Sequence, residues 1–362
     1  MKKCITILTI FLAFNTIGQE KSNSLQQQLD EIVKNKMVIG VAAGYTIDGT
    51  IIEQVVAGYA DKNTLKQFEL DTKIRMGSIA KSITALAVMQ LVEQEKIDLD
   101  TPIQNYISDY PKYKKTQITI RHLLSHTSGI SGYKDGRESN TTTQYPTLHD
   151  ALSLFKDRKL LFEPGTQYSY TTYGYTVLGA IIERVTGQTF ETYMKENIFE
   201  KAGMTNTGVE KFEKELENES KLYHRNNGKG KAKPAKENNL SNRLPGGGLY
   251  TTLIDMLKFG NAVLNNTFVK KKTLTLMRQH HSLEKENNAY GFGWFLYNPK
   301  PNEGAIIGHP GAQTGCTSFL FIVPEKKAVS VILSNTSRTQ SSVDPIANNL
   351  LRLSLGKGSI KK

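Results

Sequence analysis

The periodic pattern of the chain begins at Leu25. Leu25, Leu29, Ile32 and Val33 recur at helical spacing and predict a first helix over residues 25–33. Residues 38–46 and 51–58 are instead rich in strand formers, and Asp48-Gly49 between them is a hairpin turn signal. Residues 78–95 return to helix. Ile79, Ala80, Ile83, Ala85, Leu86 and their neighbours leave almost no polar face until the end of that stretch. A helix apolar nearly all round is a buried one.

The middle of the chain reads as helices joined by loops. Helices are expected at 118–125, 148–155, 174–185, 190–201 and 253–264, and the third stops at Gly187. Towards the end, residues 290–297, 315–323 and 328–333 read as strands and 344–353 as a closing helix. Strands therefore lie at both ends with helices between. The economical architecture is an α+β fold: one sheet assembled from both chain ends, covered by helices, with an inserted all-helical region. The expected division is a single domain over 20–356, with a sheet part at 25–95 and 280–356 and a helical part at 96–279.

Ahead of this domain the pattern is different. Lys2 and Lys3 precede an apolar run from Ile5 to Phe14, then Thr16, Ile17 and Gly18 before charge returns at Glu20. The run is too short for a stable membrane span. Residues 1–19 are expected to be an export signal cleaved near Gly18 or Gln19, with the mature protein periplasmic or secreted. Cys4 precedes most of the apolar run, which argues against a lipid-anchored cysteine at the cleavage point. Removal of the signal leaves Cys316 as the only cysteine, so no intramolecular disulfide is expected.

Composition changes this picture little. Hydrophobic residues at 38% and charged residues at 22% fit an ordinary globular protein. The formal net charge of +12 comes from dispersed lysines. No RNA-binding module, zinc finger or basic zipper accompanies it, so nucleic acid is not an expected partner. Residues Lys211 to Asn239 are poor in apolar residues, and Lys229 to Lys236 form a basic, turn-rich tail. A solvated surface loop or hairpin is expected there. Binding of an anionic polymer or membrane surface is the alternative use.

Three segments carry candidate chemistry. In Ser78-Ile79-Ala80-Lys81 the serine and lysine lie one helical turn apart on the same face. A lysine in an apolar helix is costly to bury as a cation, so its pKa falls and it can act as a base. Ser78 near the helix N-terminus would meet free N–H groups. The same residues would also fit a serine cap followed by a lysine reaching to the surface. Tyr170-Thr171-Thr172 offers a tyrosine that could serve as a base if Lys81 stabilised its phenolate, although Tyr168, Tyr173 and Tyr175 crowd the segment. His309-Pro310-Gly311-Ala312 precedes an expected strand. Gly311 would permit close backbone approach, Ala312 N–H could join Ser78 N–H in an oxyanion hole, and His309 could position a substrate or the tyrosine. A plain turn before a strand is the other reading.

The remaining histidines are less informative. His122 and His126 are four apart without a Glu partner or third ligand and read as structural. His280 and His281 read as surface residues. No Gly-x-Ser-x-Gly elbow is present to support a Ser-His-Asp triad.

Taken in order, these segments resemble the serine β-lactamase and penicillin-binding-protein superfamily, in its class C β-lactamase-like branch. Residues 75–82 (Arg-Met-Gly-Ser-Ile-Ala-Lys-Ser), 118–129 ending His126-Thr127-Ser128-Gly129, 164–170, 245–252 and 308–311 carry the likeness, which extends over about 25–350. It implies an antiparallel sheet flanked by helices, an inserted helical region and an active site at their junction. Ser78 would form an acyl-enzyme, Lys81 and Tyr170 would shuttle its proton, and the N–H groups of Ser78 and Ala312 would hold the oxyanion, with no metal or cofactor. The substrate would be a small molecule or peptide. Two departures stand out. Thr172 occupies the place of an asparagine that helps orient the lysine and a substrate amide, and His309-Pro310-Gly311 replaces Lys-Thr-Gly, whose Lys and Thr help engage a substrate carboxylate. Both are similar to the mitochondrial serine β-lactamase-like members of the family. They favour a peptidase, amidase or esterase over a dedicated β-lactamase or D-Ala-D-Ala carboxypeptidase, with a non-catalytic ligand-binding descendant as the remaining alternative.

Overall fold

A computed structural model describes residues 15–226, 229–283, 289–297 and 304–358. The apolar run of the expected export signal lies outside the described residues. Seven strands form the main sheet: β1 (Gly40–Ile47), β2 (Thr50–Asp61), β3 (Lys66–Gln67), β4 (Phe295–Tyr297), β5 (Ile306–Gln313), β6 (Cys316–Val323) and β7 (Ala328–Ser334). Their order is β3-β2-β1-β7-β6-β5-β4, and every neighbouring pair is antiparallel. The two chain ends meet at the centre, where Val41 of β1 lies opposite Ser334 of β7. The β1–β2 hairpin turns through Asp48 (φ 49) and Gly49 (φ 79), the two positive angles that a type I′ turn needs.

Both faces of the sheet are covered. Val41, Ala43 and Tyr45 of β1 pack with Leu25 and Leu29 of α1 (Asn15–Lys34) and with Val343, Ile346 and Leu350 of the closing helix Gln340–Ser354. Ala42 points the other way, into a core shared with α2 (Ala80–Glu93), the helix Leu253–Leu264 and the helical region. This is why β1 and β7 read as apolar runs rather than alternating patterns. The expected helix at 78–95 begins as a tight 3-10 turn, Gly77–Ile79, before it becomes α-helical at Ala80.

Three expectations need correction. The inserted region is not all-helical. Ile74–Arg75, Leu249–Thr251 and Gly208–Val209 form a small three-stranded sheet, and Tyr223–Asn226 pairs with Lys229–Pro234 and with Thr336–Ser337. Strands of two to six residues with few apolar positions leave little periodic signal. The chain also returns to the main sheet earlier than residue 280, because the helix Leu253–Leu264 already packs on β1 and β7. Of the strand expected at 290–297 only Phe295–Tyr297 forms. Tyr290 bridges back to Phe295, so the intervening residues make a tight turn.

One strand escaped the sequence reading. His309, Pro310, Gly311 and Ala312 do not precede a strand; they lie within β5. Gly308, Pro310 and Gly311 interrupt its pattern. Proline is tolerated because β4 pairs only as far as Gly308, leaving the outer edge of β5 free beyond it.

The segment Lys211–Asn239 is a hairpin at its basic tip, as expected, but its base is tied down. Tyr223, Asn238 and Asn239 are buried. Asn238 Oδ1 accepts from Arg75 Nη1 at 2.7 Å, and Thr314 O accepts from the same nitrogen at 3.0 Å. Arg75 also holds Glu210 through Nε at 2.6 Å and through Nη2. One buried guanidinium thus joins the strand before Ser78, the insert and the β5–β6 turn. Removing one partner of such a pair leaves an uncompensated buried charge. Glu210→Gln should therefore lower unfolding stability by about 3–5 kcal/mol, measured by urea denaturation. A loss below about 1 kcal/mol would place this pair with exposed ones.

Candidate active site

Lys81 lies one turn beyond Ser78 and is fully buried, at 0% exposure. It does not reach the surface, which removes the capped-serine, snorkelling-lysine alternative. Its Nζ donates to Gly246 O at 2.7 Å and to Ser78 Oγ and Thr172 Oγ1, each at 3.2 Å. All three acceptors are neutral oxygens. The amine also sits 4.9 Å from the centre of the Tyr170 ring. Burial, and after it the field of Arg243, lower its pKa to about 7.

The three acceptors come from three places. Ser78 is in the 3-10 turn Gly77–Ile79. Thr172 directly precedes α3 (Tyr173–Thr186), and Gly246 lies in the short helix Leu244–Gly247. Thr171, between Tyr170 and Thr172, donates its N–H to His126 Nδ1 at 3.3 Å. His126 O accepts from Ser169 N–H at 2.9 Å. His126 thus holds the loop at both ends, with its ring 4.3 Å from that of Tyr170. Because Nδ1 accepts, neutral His126 carries its proton on Nε2, which is buried without a hydrogen-bond partner. The structural role expected of His126 is therefore exercised on the loop that carries Tyr170 and Thr172. His122 caps a helix by accepting from Thr119 N–H at 3.3 Å.

Tyr170 occupies the expected position, its ring 4.9 Å from Lys81 Nζ, with Ser78 near enough to influence its hydroxyl. The residue as a whole is 37% exposed, yet burial around the hydroxyl dominates its titration. That burial raises its pKa well above the usual tyrosine value, against the opposing influence of Ser78. The resting side chain is a neutral phenol. Near neutral pH Lys81, rather than a Tyr170 phenolate, is the group able to take up a proton.

The other wall is the edge of β5. A Cβ on Gly311 would fall 2.0 Å from Ser318 Oγ and 2.2 Å from Met76 O, so only glycine allows β5 to lie against the segment before Ser78. A Cβ on Gly77 would meet Ala312 N at 2.8 Å. Ser318 Oγ fastens the contact by donating to Met76 O at 2.8 Å. Ser78 and Ala312 both line a cleft of about 260 Å³ between the two walls, with Thr172, Gly246, Tyr133 and Arg243.

His309 does not line this cleft. It is 1% exposed and sits behind Tyr170, ring centres 6.1 Å apart. Its Nδ1 lies 2.7 Å from Pro310 O, an acceptor, so Nδ1 carries the proton. Nε2 then accepts from Tyr290 Oη at 3.1 Å. Of the two expected roles, support of the tyrosine fits this placement and direct substrate contact does not. His281 is not purely a surface residue, since its ring stacks on Phe292 at 3.7 Å. Sequence reasoning assigned no role to Gly246, which lies in the 245–252 stretch and contributes a backbone carbonyl, and missed Arg243, a lone arginine outside any recognisable motif. Among the described residues no group of three or more His, Cys, Asp or Glu is placed to hold a metal ion, and no helix is long and apolar enough to cross a membrane.

The sequence matches the β-lactamase family over residues 25–353. The human mitochondrial serine β-lactamase-like protein LACTB is 27% identical over an alignment covering 89% of this chain and 75% of that protein. An octameric penicillin-binding protein homologue from Pyrococcus abyssi superposes with a TM-score of 0.80 at 27% identity, covering 93% of this chain and 78% of its own. The D-amino acid amidase of Ochrobactrum anthropi shares the fold with a TM-score of 0.79 at 24% identity, covering 93% and 99% of the two chains.

Burial, and after it the Lys81 charge, lower the His309 pKa to about 3. Its ring should remain neutral and Nδ1-protonated between pH 5 and 9. Nitrogen NMR of labelled protein should show no His309 titration over that range; a midpoint near 6.5 would contradict the placement.

Proposed function

The chain belongs to the β-lactamase family, and we propose that it is a serine hydrolase cleaving an amide or ester bond through an acyl-enzyme on Ser78. One observation carries the reading: a fully buried lysine amine, with a pKa near 7, bonded to the hydroxyl of Ser78 and to no carboxylate among the described residues. Neutral Lys81 accepts the Ser78 proton as Oγ attacks the substrate carbonyl carbon. The N–H groups of Ser78 and Ala312 receive the developing oxyanion. Tyr170, a neutral phenol beside Ser78 and Lys81, relays a proton to the departing nitrogen or oxygen as the old bond breaks. Water then attacks the acyl-enzyme by the reverse proton path and frees the acid.

Amide or ester substrates are favoured over β-lactams by the same wall residues. Thr172 gives Lys81 one hydroxyl acceptor, where an asparagine would offer an amide to substrate as well. His309 is turned to Tyr290 and Pro310, leaving no cation at the place of the family's Lys-Thr-Gly lysine. The amidase fold neighbour supports the amide side of this reading. The charged start and apolar run at the N-terminus support export, and hence action on a small molecule or peptide in the periplasm or outside the cell.

A fluorophosphonate probe should label wild-type protein at Ser78, and Ser78→Ala should abolish labelling. Equal labelling of both would sink the enzyme reading in favour of a binding protein. Parallel rates on nitrocefin, a 4-nitrophenyl ester, a D-Ala-D-Ala peptide and an L-peptide should favour the ester or an amide; fastest turnover of nitrocefin would restore the β-lactamase alternative.

The base predicts a pH dependence. Labelling should rise with pH through about 7, as Lys81 loses its proton, and then level off. Stability follows the same proton. Between about 7 and 10.5 the unfolded chain holds the Lys81 proton more tightly than the folded one, so the fold gains stability as pH rises through that window. Wild type should therefore gain on Lys81→Met across it, in paired urea titrations. A constant difference would mean that the folded amine stays charged.

A further inference from the structure

Arg243 is 1% exposed, yet it lines the cleft that contains Ser78. Among the described residues it has no carboxylate partner. Its Nε donates to Asn242 Oδ1 at 2.9 Å and its Nη2 to Ser139 O at 2.5 Å. The guanidinium carbon lies 4.7 Å from the centre of the Tyr133 ring. These neutral contacts fix the plane of the group and leave Nη1 without a hydrogen-bond acceptor among the described residues. The cleft holds a second arginine, Arg338, and its lining contains no Asp or Glu. The contrast with Arg75 is direct, because that buried guanidinium is neutralised by Glu210.

A buried guanidinium without an anion is costly unless an anion arrives with a ligand. Planar, oriented N–H groups suit a carboxylate. We propose that the substrate carries an anionic group, a carboxylate, that docks on Arg243 while the scissile carbonyl lies at Ser78. The inference rests on the hydrolase reading and adds the substrate class. It also places recognition on the wall made by Thr172 and Gly246, opposite Ala312 and β5. Arg243 acts here as a specificity residue, and Arg338, at the exposed rim, would assist encounter with the anion.

The test compares matched esters. The carboxylate is placed on the acyl part in 4-nitrophenyl hydrogen adipate, against neutral 4-nitrophenyl adipamate. It is placed on the leaving part in 4-acetoxybenzoate, against 4-acetoxybenzamide. Wild type should prefer the charged member in at least one pair. Arg243→Gln should reduce that charged-to-neutral ratio of kcat/KM by about 10- to 100-fold, with Arg243→Lys retaining part of it. A ratio near one in both wild-type pairs, or one unchanged in Arg243→Gln, overturns the proposal. Should the variants fail to fold, wild type still decides the matter. Millimolar adipate should slow fluorophosphonate labelling of Ser78 while adipamide does not, and equal effects overturn it. Absence of any Ser78 labelling would instead count against the hydrolase reading itself.

Discussion

The burial of one amine organises this molecule. Lys81 sits in a helix with almost no polar face, and its Nζ must find acceptors inside the protein or remain unsatisfied. It finds three, on the turn before its own helix, on the loop before α3 and on the Leu244–Gly247 segment. Each acceptor is neutral, so no partner compensates a positive charge. The charged amine can donate to all three, but burial brings its pKa to about 7, so near neutral pH a large share is uncharged, able to donate to two of them and to accept from the third. The packing that stabilises the helix and the chemistry that the helix serves therefore depend on the same desolvation.

The second requirement is contact between two parts of the chain that are far apart in sequence. Gly77 lies against the Gly311–Ala312 backbone, and Gly311 against Met76 O and Ser318 Oγ, at distances no side chain would permit. The contact sets the Ser78 turn against the free edge of β5. On the other side His126 grips the Tyr170–Thr172 loop by ring and carbonyl. The cleft is thus built from backbone approach on one wall and from a buried aromatic and histidine cluster on the other. Both are rigid for reasons unrelated to any ligand, as a preorganised site requires.

Much of this was legible in the sequence because it follows short-range rules. The helical spacing of Ser78 and Lys81, the Asp48-Gly49 turn and the apolar runs of β1 and β7 are local signals, and the structure carries them. Tyr170 and Thr172 were legible through motif resemblance. What escaped depends on long-range pairing. β5 is a strand because β6 lies beside it, despite Pro310 and Gly311, and the short strands of the insert have too few residues to show a period. Arg243 and Gly246 act through position alone, one as an isolated side chain and the other as a carbonyl. His309 lies beside Tyr170, but which way its ring faces is decided by Tyr290, whose pairing sequence spacing does not reveal.

The central pairing of β1 with β7 has a consequence for how the protein is made. Val41 must wait for Ser334, which is synthesised almost three hundred residues later. Contacts of such separation are slow to form, and an unpaired apolar strand is a sticky one in the interval. The wall bearing Ala312 arrives equally late. A nascent chain therefore holds Ser78 and Lys81 long before it holds the strand that faces them, and the cleft is incomplete until the last strands close the sheet.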